Sequence, residues 1–120
     1  MKLNSVVFVF AVIFLMGVSL VLAEEKFGVP VYPGAKFDSG VTDFLKQMSP
    51  DATAYRTNDS VPKVVEFYKK QPGLKYMAGD KENAMFRKGN VDVTAQNPWM
   101  DTKTGKMMND TLISIVRHKE

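Results

Sequence analysis

Four side chains near the carboxyl end of the chain have the most distinctive chemistry: Trp99, Met100, Met107 and Met108. Trp99 is the sole tryptophan, and a turn at residues 101–106 would bring the methionines opposite one another in a hairpin. A tryptophan beside methionines is typical of an apolar contact patch. We therefore interpret these four as candidate ligand- or partner-binding residues. The alternative is that Trp99 folds back and covers the edge of a sheet.

A methionine-rich copper site is a second interpretation of the same residues. Thioethers are ligands for Cu(I), and exported proteins meet copper. No Met-x-x-Met repeat and no neighbouring histidine support it, and Met48 and Met85 lie at core-like positions where methionine is an ordinary gap filler. We therefore expect no metal site and no cofactor, and keep copper binding as an alternative.

Catalytic side chains are scarce. The chain contains no cysteine and a single histidine, His118, close to its carboxyl end. A catalytic triad would depend on a frayed terminus, so we expect His118 to be solvated. The carboxylates do not follow the spacing of a Ca²⁺-binding loop. We predict a non-enzymatic protein with no catalytic residue, and a carboxylate-based or metal-dependent periplasmic enzyme is the alternative.

The amino-terminal segment, residues 1–23, indicates export. It begins with one basic residue, Lys2, continues with a long apolar run from Val6, and ends at Ala23 before two glutamates. A basic start, an apolar middle and a small-residue exit are the parts of a secretory signal peptide. The run is also just long enough to span a bilayer, so an uncleaved anchor is the alternative. We predict a periplasmic or secreted protein in which residues 24–120 form a single domain.

The charge balance indicates no particular partner. The chain has 16 basic and 13 acidic residues, a formal net charge of +3. The lysines are scattered and separated by acidic residues, so we expect no nucleic-acid partner. Peripheral contact with anionic lipid headgroups stays open. Without disulfides, stability must come from packing.

Two segments predict amphipathic helices. The clearest contains Val61, Val64, Val65 and Tyr68 at the i, i+3, i+4, i+7 spacing, after the capping residues 58–60. The other has the same spacing in these residues, after a cap at residue 38 or 39: Val41, Phe44, Leu45 and Met48. We expect both apolar stripes to pack on a sheet.

The strands are predicted at residues 51–57, 74–77, 82–88, 91–96 and 111–117. Residues 91–96 alternate most clearly, and Gly89 with Asn90 before them is typical of a type II′ hairpin turn. The predicted fold class is α+β: an antiparallel β-sheet of about four to five strands, covered on one face by one or two helices.

Three short sequence motifs lie between residues 30 and 69. Residues 30–35 (Pro-Val-Tyr-Pro-Gly-Ala), 59–61 (Asp-Ser-Val) and 65–69 (Val-Glu-Phe-Tyr-Lys) precede a set of strands punctuated by glycine. In these features the chain resembles a loose group of small, uncharacterised exported bacterial α+β proteins. The resemblance implies a fold style and an export route, and no assigned activity.

These observations lead to one favoured hypothesis about function. The chain is an exported binding or accessory module for an unknown protein, lipid or small ligand. It acts through its sheet face or through the hairpin that carries Trp99.

Overall fold

Two helices and ten strands fold within residues 24–119, the part of the chain that the computed structural model describes. The predicted signal peptide or anchor, residues 1–23, lies outside the described residues. In chain order the elements are β1 (Glu25–Lys26), β2 (Val29–Pro30), β3 (Lys36–Phe37), α1 (Ser39–Lys46), β4 (Ala52–Thr57), α2 (Val61–Lys69), β5 (Lys75–Gly79), β6 (Asn83–Lys88), β7 (Val91–Gln96), β8 (Trp99–Met100), β9 (Met107–Met108) and β10 (Thr111–Arg117). Neither of these helices has the length and apolar character needed to cross a membrane.

The central sheet has six strands in the order β3-β4-β10-β7-β6-β5, and all of its neighbours are antiparallel. This confirms the α+β class but corrects the size of the sheet, which was expected to have about four to five strands. The additional strand is β3. It is only two residues long and pairs with the end of β4, so no alternating pattern marks it in the sequence.

Alternation along the strands gives the sheet two different faces. On β7, Val91, Val93 and Ala95 are buried on one face, as predicted, while Thr94 and Gln96 lie on the other. The hairpin between β6 and β7 has the predicted two-residue turn, in which Gly89 has a φ of 60°. A type II′ turn requires a positive φ at this first position, which glycine adopts without a steric penalty.

Helix α2 covers the apolar face. Ser60 caps the helix by accepting a hydrogen bond from the Lys63 amide, as the capping residues predict. Val61, Val64 and Tyr68 are all at most 1 % exposed. They pack with Phe86 in the larger of the two hydrophobic clusters, which we call the first core. Burying side chains of this size stabilises the fold by about 1.5–3 kcal/mol each, so α2 is the main cover of the sheet.

Helix α1 lies on the opposite face, which corrects the prediction that the helices cover one face. Asp38 caps α1 through a 2.8 Å hydrogen bond from the Val41 amide. Thr42, buried in α1, accepts a hydrogen bond from the Ala54 amide at 2.9 Å, and this fixes the helix to β4. Helical periodicity predicted both stripes, but the sequence does not specify on which face of the sheet each one packs.

Candidate ligand groove

The β8–β9 hairpin holds Trp99 on the face of the sheet opposite α2, which we call the second face. Its ring packs with Ala54 and Leu112, and only 3 % of the residue is exposed. The three residues form what we call the second core. Of the two interpretations left open for Trp99, the burial of the ring therefore supports the one in which it folds back. The ring covers the face of the sheet instead of its edge.

A charged pair fixes the orientation of the indole. Trp99 Nε1 donates to Asp110 Oδ1 at 3.0 Å, and Arg56 Nε donates to Asp110 Oδ2 at 2.7 Å. The guanidinium carbon of Arg56 also lies 5.0 Å from the centre of the Trp99 ring. Since one carboxylate holds both partners, Asp110 links the hairpin to β4. The hydrogen bond to this carboxylate also raises the pKa of Arg56.

The three methionines of the hairpin divide between its two sides. Met100 lies opposite Met107 and Trp99 opposite Met108. Met108 is half-buried and packs on the second core, whereas Met100 and Met107 are 58 % and 54 % exposed. The predicted approach of methionines across the turn is therefore present for one pair, Met100 and Met107.

A groove of about 320 Å³ lies between α1, the β8–β9 hairpin and the second face of the sheet. Thr94, Leu112 and Ser114 are on its floor, and Trp99 and Phe44 are on opposite walls. The remaining lining residues are Asp38, Gly40, Val41, Leu45, Gln96, Met100, Asp101, Thr102, Lys103 and Val116. This volume is at the lower end of the range of about 300–1,000 Å³ that is usual for small-molecule sites.

The groove exists because the second face is incompletely packed. The first core contains fifteen buried residues and the second only three, so the apolar stripe of α1 has little to pack on. Val41 and Leu45 are half-buried, but Phe44 is 37 % exposed and Met48 69 % exposed. The prediction that the whole stripe of α1 is buried is therefore wrong. Phe44 faces the groove in place of a packed core.

A more polar depression of about 560 Å³ lies beyond Asp38, which lines both cavities. Arg56 occupies it together with Asp59 and Asp110. Asp38 Oδ2 accepts a second bond from Arg56 at 3.4 Å, and Asp59 accepts from the Tyr32 hydroxyl at 2.6 Å. These carboxylates are therefore already paired with donors of the protein itself.

His118 is exposed, as predicted, but it also has a partner that the sequence did not indicate. Its Nε2 lies 2.8 Å from Asp92 Oδ2, and its amide donates to the carbonyl oxygen of Asn90. Arg87 Nε donates to the other oxygen of Asp92 at 2.7 Å, and this bond is the main reason that the pKa of Asp92 is lowered. His118 is thus tied to the sheet although it lies close to the end of the chain. Among residues 24–119, no three histidine or acidic side chains are grouped so that they could hold a metal ion.

Sequence reasoning missed several residues of the groove and of the polar depression beside it. Thr94 and Ser114 were assigned to strands, but nothing in the sequence shows that β7 and β10 are neighbours with Thr94 opposite Ser114. Arg56 and Asp110 are 54 positions apart, and their contact depends on the pairing of β4 with β10. The polar positions of the alternating strands were the available signal, since they mark the second face.

No family profile, curated protein or solved structure matches the chain.

Proposed function

We propose that this protein is a non-enzymatic binding module that takes a small apolar or amphipathic molecule into the groove between α1 and the β8–β9 hairpin. The proposal keeps the hairpin and the sheet face as the binding elements. It moves the contact from the outside of the hairpin to the inner side that carries Trp99. Export, through residues 1–23 as a signal peptide or anchor, is part of the proposal.

The observation that carries the proposal is the incomplete second core. Phe44 and the half-buried Val41 and Leu45 line a cavity whose floor is Leu112 and whose opposite wall is Trp99. An apolar ligand placed there would remove from water the exposed surface of Phe44 and of the half-buried Val41 and Leu45, at about 25 cal/mol per Å². The free energy gained by this burial would offset the entropy that the ligand and the groove side chains lose on binding, without any covalent chemistry.

The polar groups of the groove suggest that its ligand has one polar end. Thr94 and Ser114 offer hydroxyl groups on the floor, and Lys103 lies at the rim near the start of α1. A few polar groups among apolar walls are the usual arrangement by which a binding site orients its ligand. The ligand class is therefore a small molecule with an apolar body and a single hydrogen-bonding or anionic end.

The proposal can be tested with a fluorescent probe, because Trp99 is the only tryptophan. N-phenyl-1-naphthylamine is a neutral apolar amine that accepts energy from an excited indole nearby. We expect saturable energy transfer from Trp99 to the probe in the wild-type protein. Thr94→Phe places a ring on the floor of the groove, and we expect affinity to fall by about tenfold or more, equivalent to about 1.4 kcal/mol.

Thr104→Phe is the matched control, since Thr104 is exposed in the turn of the hairpin and does not line the groove. It should bind the probe as the wild type does. Circular dichroism must show that both variants are folded. No saturable binding to the wild type, or equal affinity in Thr94→Phe and wild type, would contradict the proposal.

A further inference from the structure

Met100, at the edge of the groove, and Met107, outside it, form a pair of exposed thioethers. They lie opposite each other on β8 and β9, and more than half of each residue is exposed. Their neighbours in the hairpin, Trp99 and Met108, point to the other side and pack on the second core. The outer side of the hairpin therefore presents two sulfur atoms on one surface.

The hydrogen bonding of the hairpin brings these two side chains close together. The amide of Asp101 donates to the carbonyl oxygen of Lys106 at 2.9 Å, just beyond the Met100–Met107 pair. In an antiparallel ladder, hydrogen-bonded and non-hydrogen-bonded pairs alternate, so Met100 and Met107 form a non-hydrogen-bonded pair. Such pairs have Cα atoms about 4.5 Å apart and the closest side chains of the ladder. Unbranched methionine side chains at this spacing can direct both sulfur atoms to one point.

From this geometry we propose that Met100 and Met107 form a site for a soft monovalent cation, Cu(I) or its analogue Ag(I). Neutral thioether sulfur is a soft ligand that favours Cu(I) over hard cations such as Mg²⁺ or Ca²⁺. The protein supplies two sulfur ligands and leaves the other coordination positions to solvent or to a further donor. Met108 is not a ligand, because its side chain is on the buried side of the hairpin.

The site shares one residue with the groove, because Met100 lines both, whereas Met107 does not line the groove. Trp99 and the floor of the groove take no part in holding the metal. Loss of Ag(I) binding in Met107→Leu and loss of probe binding in Thr94→Phe are therefore separate outcomes.

The test uses Ag(I), which is stable in air, added as nitrate to the full chain in chloride-free buffer. Methionine ε-methyl groups labelled with ¹³C report on each sulfur by NMR. We expect the signals of Met100 and Met107 to shift together and to saturate at one Ag(I) per chain. Met107→Leu keeps the apolar surface but removes one sulfur, and should weaken binding by about tenfold or more, since the second ligand no longer acts intramolecularly.

Met77→Leu is the control, because Met77 is 42 % exposed on β5, the strand at the far edge of the sheet from β3 and β4. It should bind Ag(I) as the wild type does. Three results would each overturn the proposal: equal shifts at Met77 and Met100, unchanged affinity in Met107→Leu, or no shift at any methionine.

Discussion

Asp110 is the residue whose removal tests the structure of the hairpin most directly. Its side chain accepts one hydrogen bond from Trp99 Nε1 and one from Arg56 Nε, at 3.0 and 2.7 Å. Asp110→Ala removes both acceptors and leaves the indole N–H of a buried residue without its partner. Asp110→Asn removes the charge but keeps a carbonyl oxygen that can accept from Trp99.

The expected magnitudes follow from these contacts. A hydrogen bond to a charged group contributes about 1.5–3 kcal/mol. The side chains of Arg56 and Asp110 are 32 % and 17 % exposed, so we assign their ion pair at most about 1 kcal/mol. We therefore expect Asp110→Ala to lower the free energy of unfolding by about 2–3 kcal/mol and Asp110→Asn by about 1 kcal/mol.

Urea unfolding followed by circular dichroism and by Trp99 fluorescence measures both effects. Asp43→Ala is the control, because Asp43 is exposed on α1 and should change stability by no more than about 0.5 kcal/mol. The fluorescence of Asp110→Ala should also differ from the wild type before unfolding, since its indole has lost a charged neighbour. The reasoning is refuted if Asp110→Ala changes stability no more than Asp43→Ala and leaves the emission unchanged.

Four further predictions concern the two cores, the ionisable groups and the amino-terminal segment. Phe86→Ala, at a fully buried residue, should destabilise by about 3–5 kcal/mol in urea unfolding, whereas Phe44→Ala should cost about 1 kcal/mol or less, and equal losses would contradict the two-core description. Because the pKa of Asp92 is lowered in the folded protein, its stabilisation is present above the ordinary carboxyl pKa of 3.8 and is lost as the pH falls through the lowered value. Asp92→Asn should thus be less stable than wild type at pH 7, and denaturation midpoints should converge at acid pH; a constant difference would contradict this linkage. Burial and the hydrogen bond to Asp59 raise the pKa of Tyr32 to about 12, so Tyr32→Phe should remove a late step from an alkaline absorbance titration, and loss of an earlier step would count against it. Amino-terminal sequencing of the exported protein should read from Glu24 if residues 1–23 are a cleaved signal peptide, whereas a protein found only in the cytoplasm with Met1 or Lys2 at its start would contradict export.

Local patterns predicted the elements well but not their arrangement. The caps at Asp38 and Ser60 and the two helices appear as expected, because each depends on residues within one or two turns of the chain, although the stripe of α1 is only partly buried. The strands β6 and β7 and their turn follow for the same reason. The six-stranded sheet and the separate faces of the two helices do not follow from such patterns, since they depend on which strands pair.

The candidate site was predicted only in part. Trp99 and the methionines were recognised as distinctive residues, and the hairpin that pairs Met100 with Met107 was anticipated from the turn between them. That Trp99 faces inward was left open, because alternation in a strand of two residues cannot show which side is buried. Arg56 and Asp110 had no local signal for their contact, and the only signal for Thr94 and Ser114 was their polar position within a strand.

The sequence by itself determined the helices, five of the six strands of the central sheet, the alternation that makes one face of the sheet apolar, and the candidate residues of the hairpin. These depend on spacings of two to four residues, which a single chain displays directly. Only the tertiary structure decided that the second face carries a core of three buried residues, and that a groove therefore separates α1 from Trp99. The physical reason is that packing density depends on side chains far apart in the chain. Trp99, Leu112 and Ala54 become neighbours only when β4, β10 and the hairpin assemble.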